Sequence, residues 1–147
     1  MPLITPADLR THIYAEIITE ITRNDETIVA QAIQAAEGEA MLYLSRYDIQ
    51  QIFGTSDAPS TFDDPLLLRL LKDITVWHII RLSNAGVDQA THRTAYLDAI
   101  QILTGIKDGR VSPHAWPYAD TTTTTTSSPP DGDTISWNSN LKRHNHY

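Results

Sequence analysis

The sequence predicts an all-α fold: a small four-helix domain with a long loop at residues 49–62 and an extended C-terminal arm. Three observations predict it. Apolar residues recur at helical spacing through most of residues 1–109, acidic or Asp-Pro starts stand before three of the runs, and apolar periodicity ends at Gly109. The chain divides accordingly into a helical domain (1–109), a Pro/Thr/Ser-rich linker (110–133) and a C-terminal docking arm (134–147).

The first helix starts at Thr5-Pro6-Ala7-Asp8. Thr5 is placed to accept from an orphan N–H, Pro6 suits the first helical position, and Asp8 complements the positive end of the dipole. Leu9, Ile13, Ile17 and Ile21 then recur every four residues, with Tyr14 and Ile18 beside them, as one inward stripe.

Asp25 is the candidate cap of the second helix, whose Ala32, Ala35, Ala36, Gly38 and Ala40 allow a second helix to approach closely. Gly38 costs about 1 kcal/mol against alanine there, and close packing is the simplest compensation. The stretch 36–48 reads as this helix running into a corner. Arg46 and Asp48 make a charge pair at that corner, where the dipole favours a cation, and Arg46, Tyr47 and Asp48 either cap the turn or face a neighbouring subunit.

Residues 49–62, with Gly54, Pro59 and several Ser, Thr and Asp, read as a loop longer than most connections, tethered by Ile52 and Phe53. Asp63-Asp64-Pro65 starts the third helix. From Leu66 to Leu82 that helix is apolar on most sides, which makes it the central one. His78 lies within it without a second ligand at helical spacing, so it reads as a satisfied core or interface histidine. Asn84-Ala85-Gly86 ends the run, and Asp88 caps a fourth helix with Tyr96, Ala99, Ile100, Leu103 and Ile106 inward. Lys107 and Gly109 mark its stop.

Beyond Gly109, the prolines, the threonine run at 121–126 and Ser127-Ser128-Pro129-Pro130 read as linker. Its 15 residues from 119 to 133 span about 50 Å extended and about 20 Å as a flexible coil. The arm then carries Ile135, Trp137, Leu141, Lys142, Arg143, His144 and Tyr147, apolar and aromatic residues that a solvated tail has little use for. Ile135 and Trp137 alternate as a strand does, so these residues read as partner-binding, with Trp137 the anchor on another chain or subunit. The other reading folds the tail back on its own domain.

Charge restricts the partners. Residues 1–109 hold 8 Lys+Arg against 15 Asp+Glu, while residues 110–147 hold 3 of each, so the whole net charge of −7 sits on the helical part. A surface of that sign does not hold phosphates, which excludes a DNA reader. With no cysteine there is no thiolate chemistry or disulfide. No spacing yields a nucleophile elbow, a phosphate loop or a zinc pair, and His144-x-His146 lacks carboxylate or cysteine support. The chain therefore reads as a non-enzyme with no catalytic residue, cofactor or metal. The first residues lack a signal peptide, and no apolar window is long enough to span a bilayer, so a cytosolic product is expected.

The order of these features carries a resemblance: Ile4-Thr5-Pro6-Ala7-Asp8-Leu9, Asp25 opening a helix, 36–48 with its Tyr-Leu-Ser-Arg-Tyr-Asp ending, Asp64-Pro65-Leu66, and Tyr96-Leu97-Asp98-Ala99-Ile100 followed by Leu103, Ile106 and Gly109. Over residues 3–109 the chain resembles the head-tail connector (neck adaptor, head completion) family of tailed bacteriophages, in its Mu-like small helical form. The ending Ile-Ser-Trp-Asn-Ser-Asn-Leu-Lys-Arg-His-Asn-His-Tyr resembles versions from phages or prophages of Bacteroides-like hosts, and the threonine-rich linker lies outside the resemblance. The resemblance implies a virion neck protein assembled in the bacterial host cytoplasm. It implies a homo-oligomeric ring of twelve subunits between the portal protein and the tail or a second neck protein, through which double-stranded DNA passes without specific binding. The alternative from another class is a monomeric binding module or assembly chaperone that captures a client with its tail.

Overall fold

The structure, a computed structural model, describes residues 2–82 and 88–120. It is all-α. A 3₁₀ helix (Pro6–Thr11) leads into α1 (Ala15–Thr22), α2 (Glu26–Met41), a short α3 (Ile49–Phe53), α4 (Pro65–Ile80) and α5 (Gln89–Lys107). Among the described residues the only β-type pairings are two isolated bridges, Tyr47 with Tyr118 and Gly54 with Pro59.

Local chemistry sets the helix starts. Asp25 accepts from the Thr27 N–H at 2.9 Å, Asp64 from Leu67 at 2.9 Å ahead of Pro65, and Asp88 from Ala90 at 3.1 Å and Thr91 at 3.3 Å. The Thr5 start is a reciprocal capping box with Asp8. Asp8 accepts both the Thr5 N–H and its hydroxyl, each at 2.7 Å, and this holds the Asp8 carboxyl below its usual range.

Helix α4 is the central element, flanked chiefly by α2 and α5, with α1 and the 3₁₀ helix on a further side. Leu67, Leu70, Leu71, Ile74, Val76, Ile79 and Ile80 are buried along it. Thr75, also buried, returns its hydroxyl to the Leu71 carbonyl at 2.7 Å, so no polar atom is orphaned there. Ala32, Ala36 and Ala40 line the buried side of α2, at a spacing that lets α4 approach closely.

Four expectations change. The stripe from Leu9 to Ile21 is not one helix: the chain turns at Tyr14, whose backbone is extended, and Tyr14 is 76% exposed. Ahead of the turn Leu9 and Ile13 are buried, at 0% and 6% exposure, and beyond it Ile17 and Ile21 are only half-buried. Gly38 is exposed and a Cβ there would meet nothing within 4 Å, so close packing does not account for it; Ala35 is exposed too. The 49–62 stretch is not wholly loop, because Asp48 caps α3 and buries Ile52 and Phe53. Finally, the stretch read as linker from residue 110 packs on the domain as far as residue 119. Trp116, 3% exposed, joins the core. The stop at Asn84-Ala85-Gly86 lies outside the described residues, beyond the last turn of α4.

Candidate functional site

Residues 42–48 form the corner. After α2 the chain tightens through i→i+3 bonds, with Tyr43 N–H on the Ala40 carbonyl at 3.0 Å and Tyr47 N–H on Leu44 at 2.9 Å. This rotates Leu44 and Tyr47 inward, to 0% and 3% exposure, and leaves Arg46 outward. Asp48 then spends its carboxylate on the Gln51 N–H at 3.0 Å, as the cap of α3. The partner expected for Arg46 is thus occupied with the backbone.

Arg46 lies instead over Gly109, at the end of α5. Gly109 has φ 75°, and a Cβ there would collide with the Arg46 guanidinium, so glycine is required both by backbone and by space.

A strap formed by residues 112–119 crosses this corner. The Asp48 N–H bonds the Pro117 carbonyl at 2.9 Å and the Ala119 N–H bonds the Arg46 carbonyl at 3.1 Å, which makes Tyr47 and Tyr118 an antiparallel pair. Their rings stack at 4.9 Å. Trp116 stands edge-on to Tyr47 at 5.5 Å and to Phe62 at 6.0 Å, distances at which aromatic pairs contribute beyond their buried area. Burial pushes the Tyr47 phenol up, and the hydrogen bond with Ser112 at 3.0 Å draws the Tyr118 phenol down. The Trp116 indole N–H is buried without an acceptor.

Of the three residues read as a subunit interface, Tyr47 is therefore covered by the chain's own strap, Asp48 is a cap, and Arg46 presents its side chain outward. Tyr118, 55% exposed, stands beside it. Neither Trp116 nor Tyr118 was picked out by sequence. The available signal was their alternation at 116 and 118, the same strand-like spacing seen at 135 and 137.

A second polar cluster joins the three core helices. Glu39 of α2 accepts the Tyr96 hydroxyl of α5 at 2.7 Å and meets His78 Nε2 of α4 at 3.0 Å. The bond to Glu39 pushes the Tyr96 phenol up to about 12, and Trp77 stacks on the Tyr96 ring at 5.8 Å. His78 is thus a satisfied histidine. A third cluster ties the N-terminal segment to α4: His12 Nε2 lies 3.5 Å from Asp73, and Thr11 Oγ1 lies 2.8 Å from His12 Nδ1.

A groove of about 710 Å³ runs between Arg69, Asp98, Gln101, Thr104 and Arg110 and is open to solvent. Among the described residues no group of three His, Asp or Glu is arranged to hold a metal, and no helix is long and apolar enough to cross a membrane. The arm residues Ile135, Trp137, Leu141, Lys142, Arg143, His144 and Tyr147, with the linker from 121 to 133, lie outside the described residues. What the corner presents is an outward cation beside a half-exposed tyrosine, over an aromatic cluster held by the strap. No protein-family model matches the chain, and no curated protein matches it.

Proposed function

We propose that the chain is a head-tail connector of a tailed bacteriophage, a structural protein of the virion neck that assembles as a ring between portal and tail and lets DNA through. The observation that carries this reading is the ordered set of capped helices around one apolar helix, with the corner at 42–48 between α2 and α3. It has the order of features on which the resemblance over residues 3–109 rests. The charge supports it: the helical domain bears the full net charge of −7, and a channel wall of that sign lets a polyanion slide without capture. The exit of the chain beside Arg46 supports it too, since an arm leaving from the corner starts next to whatever the corner faces.

Negative-stain microscopy of the purified chain, alone and with portal protein, tests the reading and is expected to show rings or portal-bound rings. Removal of residues 134–147 is expected to abolish docking while leaving the helical circular dichroism signal intact. Full docking by the shortened chain would sink the role given to the arm, and a strictly monomeric chain that ignores portal in light scattering would sink the connector reading.

A further inference from the structure

The contacts that fasten the strap to the corner come from residues 116–119: two main-chain hydrogen bonds, the Trp116 ring between Tyr47 and Phe62, and the Tyr118 ring on Tyr47. None of these contacts depends on which molecule supplies the strap. The stretch that brings the strap home is short and bent. Arg110 and Val111 both direct their N–H groups to the Gly105 carbonyl, at 2.9 and 3.0 Å, as the chain turns off α5. Four residues later Ala115 sits at φ 63°, a left-handed conformation that its Cβ disfavours. Short hinges under strain favour exchange of an element between identical molecules, because exchange keeps every contact and releases the hinge.

We propose that the corner walled by Arg46, Tyr47 and Phe62 is a docking surface for residues 116–119 of a second copy of this chain. In the isolated molecule the corner holds its own strap. Between adjacent copies, residues 110–115 straighten and reach about 20 Å, Ala115 leaves the left-handed region, and the strap seats on the neighbour. This inference rests on the reading that copies assemble side by side.

The chain has no cysteine, so a disulfide can report which molecule supplies the strap. Arg46 and Ala119 are paired across the strap by a main-chain hydrogen bond. Such a pair holds its Cα atoms about 5.5 Å apart, inside the roughly 4.4–6.8 Å that a disulfide spans. Both positions leave the aromatic rings in place. Two full-length chains with different tags, one carrying Arg46→Cys and the other Ala119→Cys, are co-expressed and oxidised. The expected product is a disulfide joining the two tags, well above the like-with-like dimers of either variant alone. Adding Ala115→Gly to the second chain is expected to lower that yield about 5- to 10-fold, because glycine removes the left-handed penalty.

The doubly substituted Arg46→Cys/Ala119→Cys chain shows that the pair can close, and light scattering on each sample reports assembly. An assembled double variant whose disulfides all lie within one chain, with no mixed-tag product from the pair, overturns the exchange and leaves the connector reading standing. A chain that stays monomeric throughout overturns both.

Discussion

Glu39 and Tyr96 meet at 2.7 Å, carboxylate to phenol, and so tie α2 to α5 across the rim of the central helix. The same carboxylate reaches His78 at 3.0 Å, so one acidic side chain of α2 is the shared partner of groups on α4 and α5. Tyr96→Phe keeps the stack on Trp77 and removes only the hydroxyl. Urea denaturation is expected to show a loss of about 1–2 kcal/mol, the size of a hydrogen bond to a charged group at a partly exposed site.

The same bond has a pH signature. The Tyr96 phenol is raised to about 12 in the folded chain, against about 10 unfolded. Its contribution to stability is therefore complete below pH about 10 and is lost as pH rises through about 12. Ultraviolet titration of the folded protein is expected to show a late-ionising phenol that Tyr96→Phe removes. An unchanged titration curve would count against the Glu39 contact.

His12 works in the opposite direction. Burial holds its pKa below the ordinary value despite Asp73, with Lys72 and Arg69 adding to the depression. A depressed pKa means stability that is present above the unfolded value and lost as pH falls through the folded one. Asp73, raised by burial, has the reverse sign and recovers stability in the carboxylate range below. Comparing wild type with His12→Gln by denaturation from pH 7 downward is expected to show a shallower loss just below pH about 6.5 in the variant.

Two glycines predict opposite outcomes. Gly38 lies mid-helix with nothing near a Cβ, so Gly38→Ala is expected to raise stability by about 0.5–1 kcal/mol. Gly109→Ala places a Cβ at φ 75° against the Arg46 guanidinium and is expected to cost about 1–2 kcal/mol. Thermal melts of the two variants, read side by side, check both signs.

At the corner, Trp116→Ala is expected to cost about 3–5 kcal/mol, as a large buried aromatic does, whereas Arg46→Glu is expected to stay within about 0.5 kcal/mol because its head is in solvent. Trp116→Phe falls between these: it loses volume but also removes an indole N–H that has no acceptor. If Arg46→Glu leaves stability intact and ring assembly intact as well, Arg46 is no contact.

The parts of this fold that could be read from sequence are those whose cause is local. Asp25, Asp64-Pro65 and Asp88 announce helices because a cap satisfies N–H groups two or three residues away, and α4 announces itself as central because its apolar residues leave little room for a solvated face. The turn at Tyr14 was hidden because the four-residue spacing continues across it, and periodicity cannot distinguish a straight helix from two segments that bury the same residues. The strap was hidden for a different reason. Its partners, Tyr47 and Phe62, lie more than fifty positions upstream of Trp116, and a segment rich in proline looks like linker until the surface that receives it is known. His78 was legible as satisfied, but its acceptor Glu39 was not, since that pairing depends on the packing of α2 against α4.

The position of Trp116 also carries the folding unit past Gly109. Cutting the chain after Gly109, where helical periodicity stops, would strip the cover from Tyr47 and Phe62 and leave an oily trough at the surface of a net-acidic protein. Such a fragment would be sticky for reasons unrelated to its biology. Residue 119, whose N–H returns to the Arg46 carbonyl at the corner, belongs inside any fragment meant to fold.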